Sequence, residues 1–462
     1  MADCATIQSR SAVLRRSFRK GFPAAVRGEG VYVWDSDGHR YLDLAGSAAV
    51  NFIGHGVPEI SAAMAEQAAK LEFAHTSQFT TPVAEQYAEE LLAFAGEHFR
   101  RGAVYFTCGG SESIETALKL ARQYQVEIGQ ASRYQILSRQ QSYHGSTLGA
   151  LSVSGNKRRR EMYLPMVREF SHVGMPYCYR CAFDCTDGCH NCGQQYAADL
   201  ERAIETTNGE AAAFIFEPVS GATLGAVVPP PGYLQAVAEI CRRHGMLLIA
   251  DEVMTGMGRT GRNFAVEHWL GRDGNVAPDI LVTAKGLSSG YAPLGAVIAN
   301  QKIVDAIAAG SGAFLHGFTY NAHPISLAAG RAVLRHLQAK TLIEAADSSR
   351  PGTPATHFKQ ALETLRAEES VGDVRGLGLL WAVEFVADKP TKRPFLPTQN
   401  FAGRVAAAAF KRGLLVYPMQ GSVDGISGDH LLLAPPAVIT REQIAWAVEQ
   451  LRAAVLQAFT SL

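Results

Sequence analysis

The sequence predicts an α/β fold with a mainly parallel sheet, followed by a smaller α+β domain. From about residue 100, short apolar runs alternate with helical patterns, as expected for repeated strand–helix units. The apolar runs are continuous rather than alternating, which is typical of strands covered on both faces. After about residue 325 the pattern changes to one long helix, further strands and a final helix.

The first predicted element is an N-terminal hairpin in GVYVWDSDGHRYLDL, where a turn at Asp35–Gly38 separates two short strands. Helices are predicted between the later strands, and one of them, GYLQAVAEICRRHG, ends at Gly245, a residue type that commonly closes a helix. The strand candidates of the main sheet are AVYFTC (103–108), YQILSR (134–139), AAFIFEPV (212–219), MLLIADEV (246–253), ILVTAK (280–285) and LGAVIA (294–299).

The chain has 462 residues, which is longer than one ordinary domain, so we expect it to divide. Residues 1–60 are predicted to form an N-terminal segment that packs with the small domain. Residues 61–330 are predicted to form the large domain, which carries a cysteine-rich insertion at about 176–193. Residues 331–462 are predicted to form the small domain, with LLWAVEFV and GLLVYP as strands.

Composition limits the partners that the chain can attract. Lys plus Arg and Asp plus Glu both number 43, so no net charge draws nucleic acid or an anionic membrane. No apolar run is long enough to span a bilayer, and the basic N-terminus lacks the apolar core of a secretory signal. We therefore expect a cytoplasmic protein of the size of an enzyme that binds neither nucleic acid nor a membrane.

Three predicted strand ends carry unusual groups, and ligands of open α/β sheets bind beyond such ends. Gly110 and Ser111 stand where the first strand meets a helix, whose free N–H groups favour a phosphate. Asp251 ends the fourth strand and Lys285 ends the fifth. Pyridoxal phosphate would use all three ends, because it needs a phosphate site, a carboxylate for its pyridine nitrogen and a lysine amine. The alternative is a plain turn with a Lys–Asp ion pair, or a lysine that reaches water.

The most distinctive motifs surround these strand ends. The run LLIADEVMTGMGRTG, followed by DILVTAKGLSSGYAPLGAV, resembles the class III pyridoxal-phosphate aminotransferases, the ω-aminotransferase group of fold type I. The resemblance continues in FTCGGSESIETALKLAR, SYHGSTLGALSVSG and HGFTYNAHP, and it covers nearly the whole chain. It implies a mainly parallel seven-stranded sheet in the large domain, pyridoxal 5'-phosphate as the cofactor and a homodimer with shared active sites.

The resemblance also implies roles for individual residues around the cofactor ring. Lys285 would form the Schiff base with the cofactor and would then move the proton between substrate and cofactor. Asp251 would pair with the pyridine nitrogen. The ring would lie between Val253 and Tyr143, with His144 beside Tyr143.

Further residues would hold the phosphate and the substrate by the same resemblance. Backbone and hydroxyl groups of Gly110 and Ser111 would bind the phosphate, and Thr319 would reach the phosphate of the neighbouring subunit. Glu217 would lie near the substrate, and the alternative for this residue is a strand-end carboxylate that faces solvent.

Some residues depart from the family pattern, and they bear on the cofactor and the substrate. Met254 stands where many relatives have a glutamine that bonds the cofactor's 3′-oxygen, and methionine cannot donate such a bond. Leu432 and Tyr417 stand near positions where relatives place an arginine for the substrate carboxylate. We therefore expect carboxylate recognition from Arg159 or Arg160, or a weaker contact, and we favour pyruvate or a similar small oxo acid as acceptor.

The residues and the resemblance together predict an aminotransferase that moves an amino group from a primary amine or ω-amino acid to an oxo acid. A racemase, epimerase or lyase on the same scaffold is the alternative, because such enzymes use the same lysine. Tyr143 argues against a decarboxylase, since decarboxylase-type relatives tend to have tryptophan there. A binding module without catalysis is the remaining alternative, although it would have no need of Lys285.

Five of the eight cysteines crowd into CYRCAFDCTDGCHNC, residues 178–192. Cys178 and Cys181 form one C-x2-C pair and Cys189 and Cys192 form another, a spacing able to supply four thiolates in a tetrahedron. One interpretation is structural zinc, as a clip on the insertion and away from the catalytic residues. The alternative is a set of free thiols packed in a loop, which the family background favours.

Overall fold

The computed structural model describes residues 12–18, 21–183, 189, 192–271 and 276–462. Its strands form three sheets. In chain order the strands are β1 (Ala25–Glu29), β2 (Tyr32–Asp35), β3 (Arg40–Asp43), β4 (Ala103–Thr107), β5 (Gln135–Arg139), β6 (His172–Val173), β7 (Ala211–Phe216), β8 (Leu247–Asp251), β9 (Ile280–Thr283), β10 (Gly295–Ala299), β11 (Val371–Leu377), β12 (Leu380–Phe385), β13 (Leu414–Leu415), β14 (Tyr417–Gln420) and β15 (Asp429–Leu433).

Helices separate most of these strands, and several begin at a residue suited to the helix start. The side chain of Thr81 accepts a hydrogen bond from the backbone N–H of Ala84, which caps the helix that follows. The α-helices are α1 (Gly46–Ala49), α2 (Pro58–Lys70), α3 (Pro82–Phe94), α4 (Gly110–Glu127), α5 (Leu148–Val153), α6 (Lys157–Arg160), α7 (Cys192–Glu205), α8 (Tyr233–Arg243), α9 (Gln301–Ala309), α10 (Pro324–Ala339), α11 (Leu342–Ala345), α12 (Pro354–Glu363), α13 (Phe401–Lys411) and α14 (Arg441–Thr460).

The main sheet has seven strands in the order β4-β10-β9-β8-β7-β5-β6. Its pairs from β9 to β6 are parallel, and β10 runs antiparallel to both of its neighbours. Each of the six strand candidates forms a strand of this sheet, and the seventh strand is the two-residue β6. The prediction of an α/β fold with a mainly parallel seven-stranded sheet is confirmed.

The apolar runs are continuous because successive side chains enter two different cores. In β8 the side chain of Leu248 packs into a large core, whereas Ile249 packs into a second core on the other face. In β9 Leu281 and Val282 divide between the two cores in the same way. A strand covered on both faces has no polar side to alternate with its apolar one.

The C-terminal part contains the antiparallel sheet β11-β12-β15-β14, on which α13 packs, and α14 packs on α13. The N-terminal strands join β13 in the sheet β1-β2-β3-β13, where Leu42 lies opposite Leu414. The first segment therefore pairs with a strand of the C-terminal part, while the domain boundaries at residues 60 and 330 stay predictions. None of the helices in the described residues combines the length and apolar character needed to cross a membrane.

Candidate active site

A cavity of about 300 Å³ lies beyond the carboxyl ends of β7, β8 and β9, beside the start of α4. This is the edge where parallel α/β sheets bind ligands. Thr319 is exposed and does not line this cavity of its own chain. The predicted site residues that do line it are Gly110, Ser111, Tyr143, His144, Glu217, Asp251, Val253 and Lys285.

Lys285 follows the end of β9 and projects into the cavity. Its backbone has a φ of 45°, in the left-handed region that a lysine rarely adopts. Desolvation by the surrounding protein lowers the pKa of its amine to about 8, although the carboxylates of Asp251 and Glu217 raise that pKa in opposition. Within the described residues its Nζ has no hydrogen-bond partner, so the amine is available to a ligand.

Asp251 is the last residue of β8, and two groups fix its carboxylate. The Nδ1 atom of His144 lies 2.7 Å from Asp251 Oδ2, and both side chains are buried. The backbone N–H of Val253 donates to Asp251 Oδ1 at 3.1 Å. The other ring nitrogen of His144 is buried with no hydrogen-bond partner among the described residues. The histidine therefore orients the carboxylate, which is set at the wall of the cavity.

Glu217 is 6% exposed, so it does not face solvent. The backbone N–H of Gly221 donates to Glu217 Oε1 at 2.9 Å, and the backbone N–H of Tyr143 donates to Oε2 at 3.5 Å. Burial raises the pKa of the Glu217 carboxyl, and the Asp251 carboxylate contributes to that rise. Glu217 is thus a cavity carboxyl group whose charge acts on the amine of Lys285.

The start of α4 provides a close-fitting surface of small residues. A Cβ atom at Gly110 would lie 2.9 Å from Cγ1 of Val253, which is closer than real contacts allow. The hydroxyl of Ser111 accepts a hydrogen bond from the backbone N–H of Ser146 at 3.0 Å. The first residues of this 18-residue helix, Gly110 and Ser111, line the cavity, and the free N–H groups of a helix start favour an anion.

Arg159 and Arg160 both lie in α6, but they have different neighbours. The guanidinium carbon of Arg159 lies 4.3 Å from the ring centroid of Tyr143, and its charge reaches Lys285, where it lowers the amine's pKa. Arg160 instead interacts with Glu169 and His172. Of the two arginines that the sequence leaves open, only Arg159 contacts a residue that lines the cavity, Tyr143.

The sequence reasoning missed two residues, one that lines the cavity and one that contacts a lining residue. Cys108 follows β4 and lines the cavity, and burial, with the charge of Glu112, raises the pKa of its thiol. Arg139 ends β5 with its side chain buried, and its guanidinium donates to the backbone carbonyl of Glu217. The signal for Arg139 was present, because an arginine that ends an apolar strand must find a buried acceptor.

The cysteine-rich insertion lies apart from the cavity. The sulfur atoms of Cys178, Cys189 and Cys192 lie within 4.8 Å of one another. Cys181 is outside that trio and accepts a hydrogen bond from the hydroxyl of Tyr196 at 3.6 Å. Cys185 lies outside the described residues.

A sequence model of the family described as "Aminotransferase class-III" matches residues 16–455. The chain belongs to the class III aminotransferases. An uncharacterised aminotransferase of Bacillus subtilis, YodT, is 39% identical over 435 residues, which cover 93% of this chain and 94% of YodT. The putrescine–pyruvate aminotransferase of Pseudomonas aeruginosa is 34% identical over 429 residues, which cover 92% of this chain and 88% of that protein.

Comparison with solved structures extends this similarity of the class III aminotransferase from its sequence to its fold. A thermostable (S)-enantioselective ω-transaminase of Thermomicrobium roseum superposes with a TM-score of 0.86 at 38% identity. The match covers 96% of this chain and 94% of that one. The fold is therefore that of the pyridoxal-phosphate transferases of fold type I, as the sequence predicts.

Pyridoxal phosphate is the cofactor expected of a class III aminotransferase, and the cavity residues fit it. The glycine at position 110 leaves space that any Cβ would fill, next to the first N–H groups of α4. A fixed carboxylate, Asp251, and an amine without a hydrogen-bond partner in the described chain, Lys285, occupy the same cavity. These are the anion site, the carboxylate and the amine that the cofactor requires.

Proposed function

We propose that this class III aminotransferase moves the amino group of a primary amine or ω-amino acid to a small oxo acid with one carboxylate, with pyruvate as the favoured acceptor. The observation that carries the proposal is the position of Arg159, whose guanidinium lies over Tyr143 and has no carboxylate partner among the described residues. A planar cation beside a residue of the cavity wall suits a planar carboxylate.

An apolar part of the cavity wall supports an acceptor with a single carboxylate. Val219 and Ala222 line the cavity and belong to an apolar cluster that contains Leu432, with Met254 and Tyr417 packed against it. Leu432 is 1% exposed, so its position offers a second carboxylate neither charge nor space. A dicarboxylic oxo acid such as 2-oxoglutarate would leave one charge unpaired against this wall, which is costly.

Lys285 is proposed as the nucleophile and as the base. When bound, pyridoxal phosphate supplies an aldehyde that bonds to an amine and a ring that accepts the electrons of the substrate's Cα–H bond. The lowered pKa of Lys285 leaves a substantial share of its amine neutral near pH 8, so Nζ can attack a carbonyl and later carry a proton. Lys285 Nζ would take the proton from the substrate's Cα and deliver it to the cofactor.

The other cavity residues are proposed to hold and orient the cofactor. The Asp251 carboxylate, oriented by His144, would keep a ring nitrogen protonated through charge pairing. Tyr143 and Val253 would confine a flat ring between them and exclude water from it. Gly110 and Ser111 would bind the phosphate through backbone N–H groups and a hydroxyl. The assignments of Lys285, Asp251, Tyr143, His144, Val253, Gly110, Ser111 and Glu217 rest on the family pattern and on their common cavity.

The absorbance of the purified, cofactor-loaded protein provides the test. Amines are added without an acceptor, and conversion of the aldehyde form of the cofactor to the amine form identifies a donor. The acceptors are then added to the amine form one at a time, and pyruvate is expected to restore the aldehyde band faster than 2-oxoglutarate. Faster recovery with 2-oxoglutarate would contradict the proposed acceptor. A racemised or eliminated product without any conversion would contradict amino transfer.

A further inference from the structure

The cysteine-rich insertion contains a cluster of thiols that amino transfer does not use. Cys178 begins a short 3-10 turn and Cys192 begins α7, so the two C-x2-C pairs meet from different elements. The sulfur atoms of Cys178, Cys189 and Cys192 lie within 4.8 Å of one another. No disulfide joins the cysteines of the described residues.

Cys181 lies beside this trio. Its backbone N–H donates to the carbonyl oxygen of Cys178 at 3.3 Å, so the two cysteines share one tight turn. All four cysteines pack against the same large core, and Cys192 is fully within it. Of the four, Cys192 is buried and the other three are partly buried. Thiols gathered in this way form only weak hydrogen bonds, whereas each thiolate would bond strongly to a metal ion.

The distances between the sulfur atoms of this cluster are close to those in a zinc site. A zinc ion bonds thiolate sulfur at about 2.3 Å in a tetrahedron, which places the sulfur atoms about 3.8 Å apart. Sulfur atoms within 4.8 Å of one another reach that spacing by side-chain rotation and a shift of about 1 Å. A disulfide needs a sulfur–sulfur distance of about 2.05 Å and would pair the thiols, whereas the observed arrangement groups three around a common centre.

We propose that Cys178, Cys181, Cys189 and Cys192 bind one structural zinc ion as thiolates. The site closes the insertion upon itself and onto the start of α7. It supplies no open coordination position, because all four ligands come from the protein, and it therefore has a structural role rather than a catalytic one. On binding, each thiol releases its proton to solvent as its sulfur bonds the metal.

The residues between and beside the first cysteine pair show what the zinc would hold. The hydroxyl of Tyr177 donates to the carboxylate of Glu384 in β12, and Nε of Arg180 donates to Glu384 Oε1 at 2.8 Å. Glu384 is fully buried. A fixed insertion therefore supplies two of the partners of a buried carboxylate in the C-terminal sheet, and losing them would leave that charge under-compensated.

The same network reaches the active-site wall. Nη1 of Arg375 lies 2.8 Å from Glu384 Oε2, and its Nε donates to the backbone carbonyl of Gly225 at 2.7 Å. Gly225 belongs to the segment that contains Ala222 of the cavity. Zinc at the insertion thus stabilises the junction between the insertion, the C-terminal sheet and one wall of the cavity.

The first experiment measures metals in the full-length protein by mass spectrometry, after expression with zinc and purification without a metal-binding tag. We expect about one zinc per chain, and we expect Cys178→Ser and Cys192→Ser each to lose most of it. Cys241→Ser is the matched control, because Cys241 is buried in α8 outside the cluster. Wild-type protein without zinc, iron in its place, or equal zinc in Cys178→Ser would overturn the proposal.

A second experiment keeps the proposal testable if the cysteine variants fail to fold. Wild-type protein is titrated with an organomercurial reagent while a zinc-sensitive dye is followed. We expect zinc to be released in step with the reaction of four protected thiols, and we expect a chelator to lower Tm. Thiols that react without releasing metal, or a disulfide within 178–192 in the intact mass, would show that the free-thiol alternative is correct.

Discussion

At the scale of single residues, Lys285 combines two properties of a reactive amine. It lies beyond the end of β9 with a left-handed backbone, which directs the side chain into the cavity rather than along the strand. Desolvation lowers its pKa to about 8, and the nearby carboxylates of Asp251 and Glu217 do not cancel that effect. The protein thus favours the neutral form of the amine even without a bound ligand.

The lowered pKa predicts how cofactor capture depends on pH. The protonated amine cannot attack a carbonyl, so the rate at which the cofactor-free protein binds pyridoxal phosphate covalently should rise with pH and level off above about 8. An ordinary lysine would keep gaining until about 10.5. Stopped-flow absorbance measures this rate, with Nα-acetyl-lysine as the control amine. A protein rate that still rises between pH 9 and pH 10 would contradict the lowered pKa.

Arg159 allows a prediction about the acceptor that is separate from the covalent step. Arg159→Leu removes the cation over Tyr143, so KM for pyruvate should rise about 10- to 100-fold, the loss of one charge-assisted contact. KM for the amine donor should change little. Steady-state kinetics with each substrate varied in turn measures both values.

Arg158→Leu is the matched control for Arg159→Leu. Arg158 is the neighbouring arginine of α6, but its guanidinium donates to the side chain of Gln420 rather than lying over Tyr143. Its loss should leave KM for pyruvate within about twofold of the wild-type value. Equal effects of the two variants would mean that general positive charge, and not the position of Arg159, attracts the acceptor.

The sequence predicts some of these residues better than others. Asp251 and Lys285 follow apolar strands in long motifs, so their common edge of the sheet could be inferred from the order of elements. The choice between Arg159 and Arg160 could not, because it depends on how one short helix packs beside Tyr143. The contact of Arg139 with Glu217 depends likewise on the pairing of β5 with β7.

At the scale of elements, the apolar runs identified the strands because both faces of the sheet are covered. Leu248 packs into the large core and Ile249 into the second core, and the side chains of each central strand divide between these two cores in the same way. The strand β6 was not predicted, because two residues, His172 and Val173, are too short to carry any periodicity. Its pairing with β5 comes from the tertiary structure alone.

The start of α4 allows a prediction at this scale. Gly110→Ala would place a Cβ 2.9 Å from Cγ1 of Val253, so either the helix start or the valine must move. We expect the affinity for pyridoxal phosphate to fall about tenfold or more, because the N–H groups that face the phosphate move with the helix start. Fluorescence titration of the cofactor-free protein measures the Kd. Circular dichroism must show an unchanged fold, and an unchanged Kd would contradict the prediction.

At the scale of the whole molecule, one region of the surface exposes large apolar side chains to solvent. Leu315 is 77% exposed and Phe79 is 63% exposed. They belong to two loops that touch each other, where Tyr320 packs edge-on against Phe73 at 5.6 Å. Exposed apolar side chains gathered in one region are typical of a surface that another chain covers. Thr319 is exposed in one of these loops.

We therefore predict a homodimer in which the 314–323 loop faces the partner. Light scattering coupled to gel filtration should give twice the chain mass of 49.7 kDa. Leu315→Lys should shift the protein toward the monomer mass, because a charge would be buried in the interface. Lys302→Glu changes charge on α9 at a surface ion pair with Asp279 and serves as the control. A wild-type monomer at micromolar concentration would contradict the prediction.

Shared active sites have a sharper consequence than dimerisation alone. If Thr319 reaches the phosphate of the partner's site, Thr319→Ala should weaken binding of pyridoxal phosphate about tenfold, although Thr319 lies outside its own chain's cavity. A dimer that joins one Lys285→Ala chain to one Thr319→Ala chain then contains two unequal sites. One site lacks both groups, whereas the other combines Lys285 of one chain with Thr319 of the other and is complete.

Mixing the two variants under conditions that exchange subunits should therefore restore amino transfer at a cofactor concentration too low to saturate the Thr319→Ala homodimer. Tagging each chain differently allows the mixed dimer to be purified before the assay. The activity should approach half that of the wild type, because one of the two sites is intact. If Thr319 instead served its own chain, every site of the mixed dimer would lack one group. The mixture would then give no gain over the separate variants.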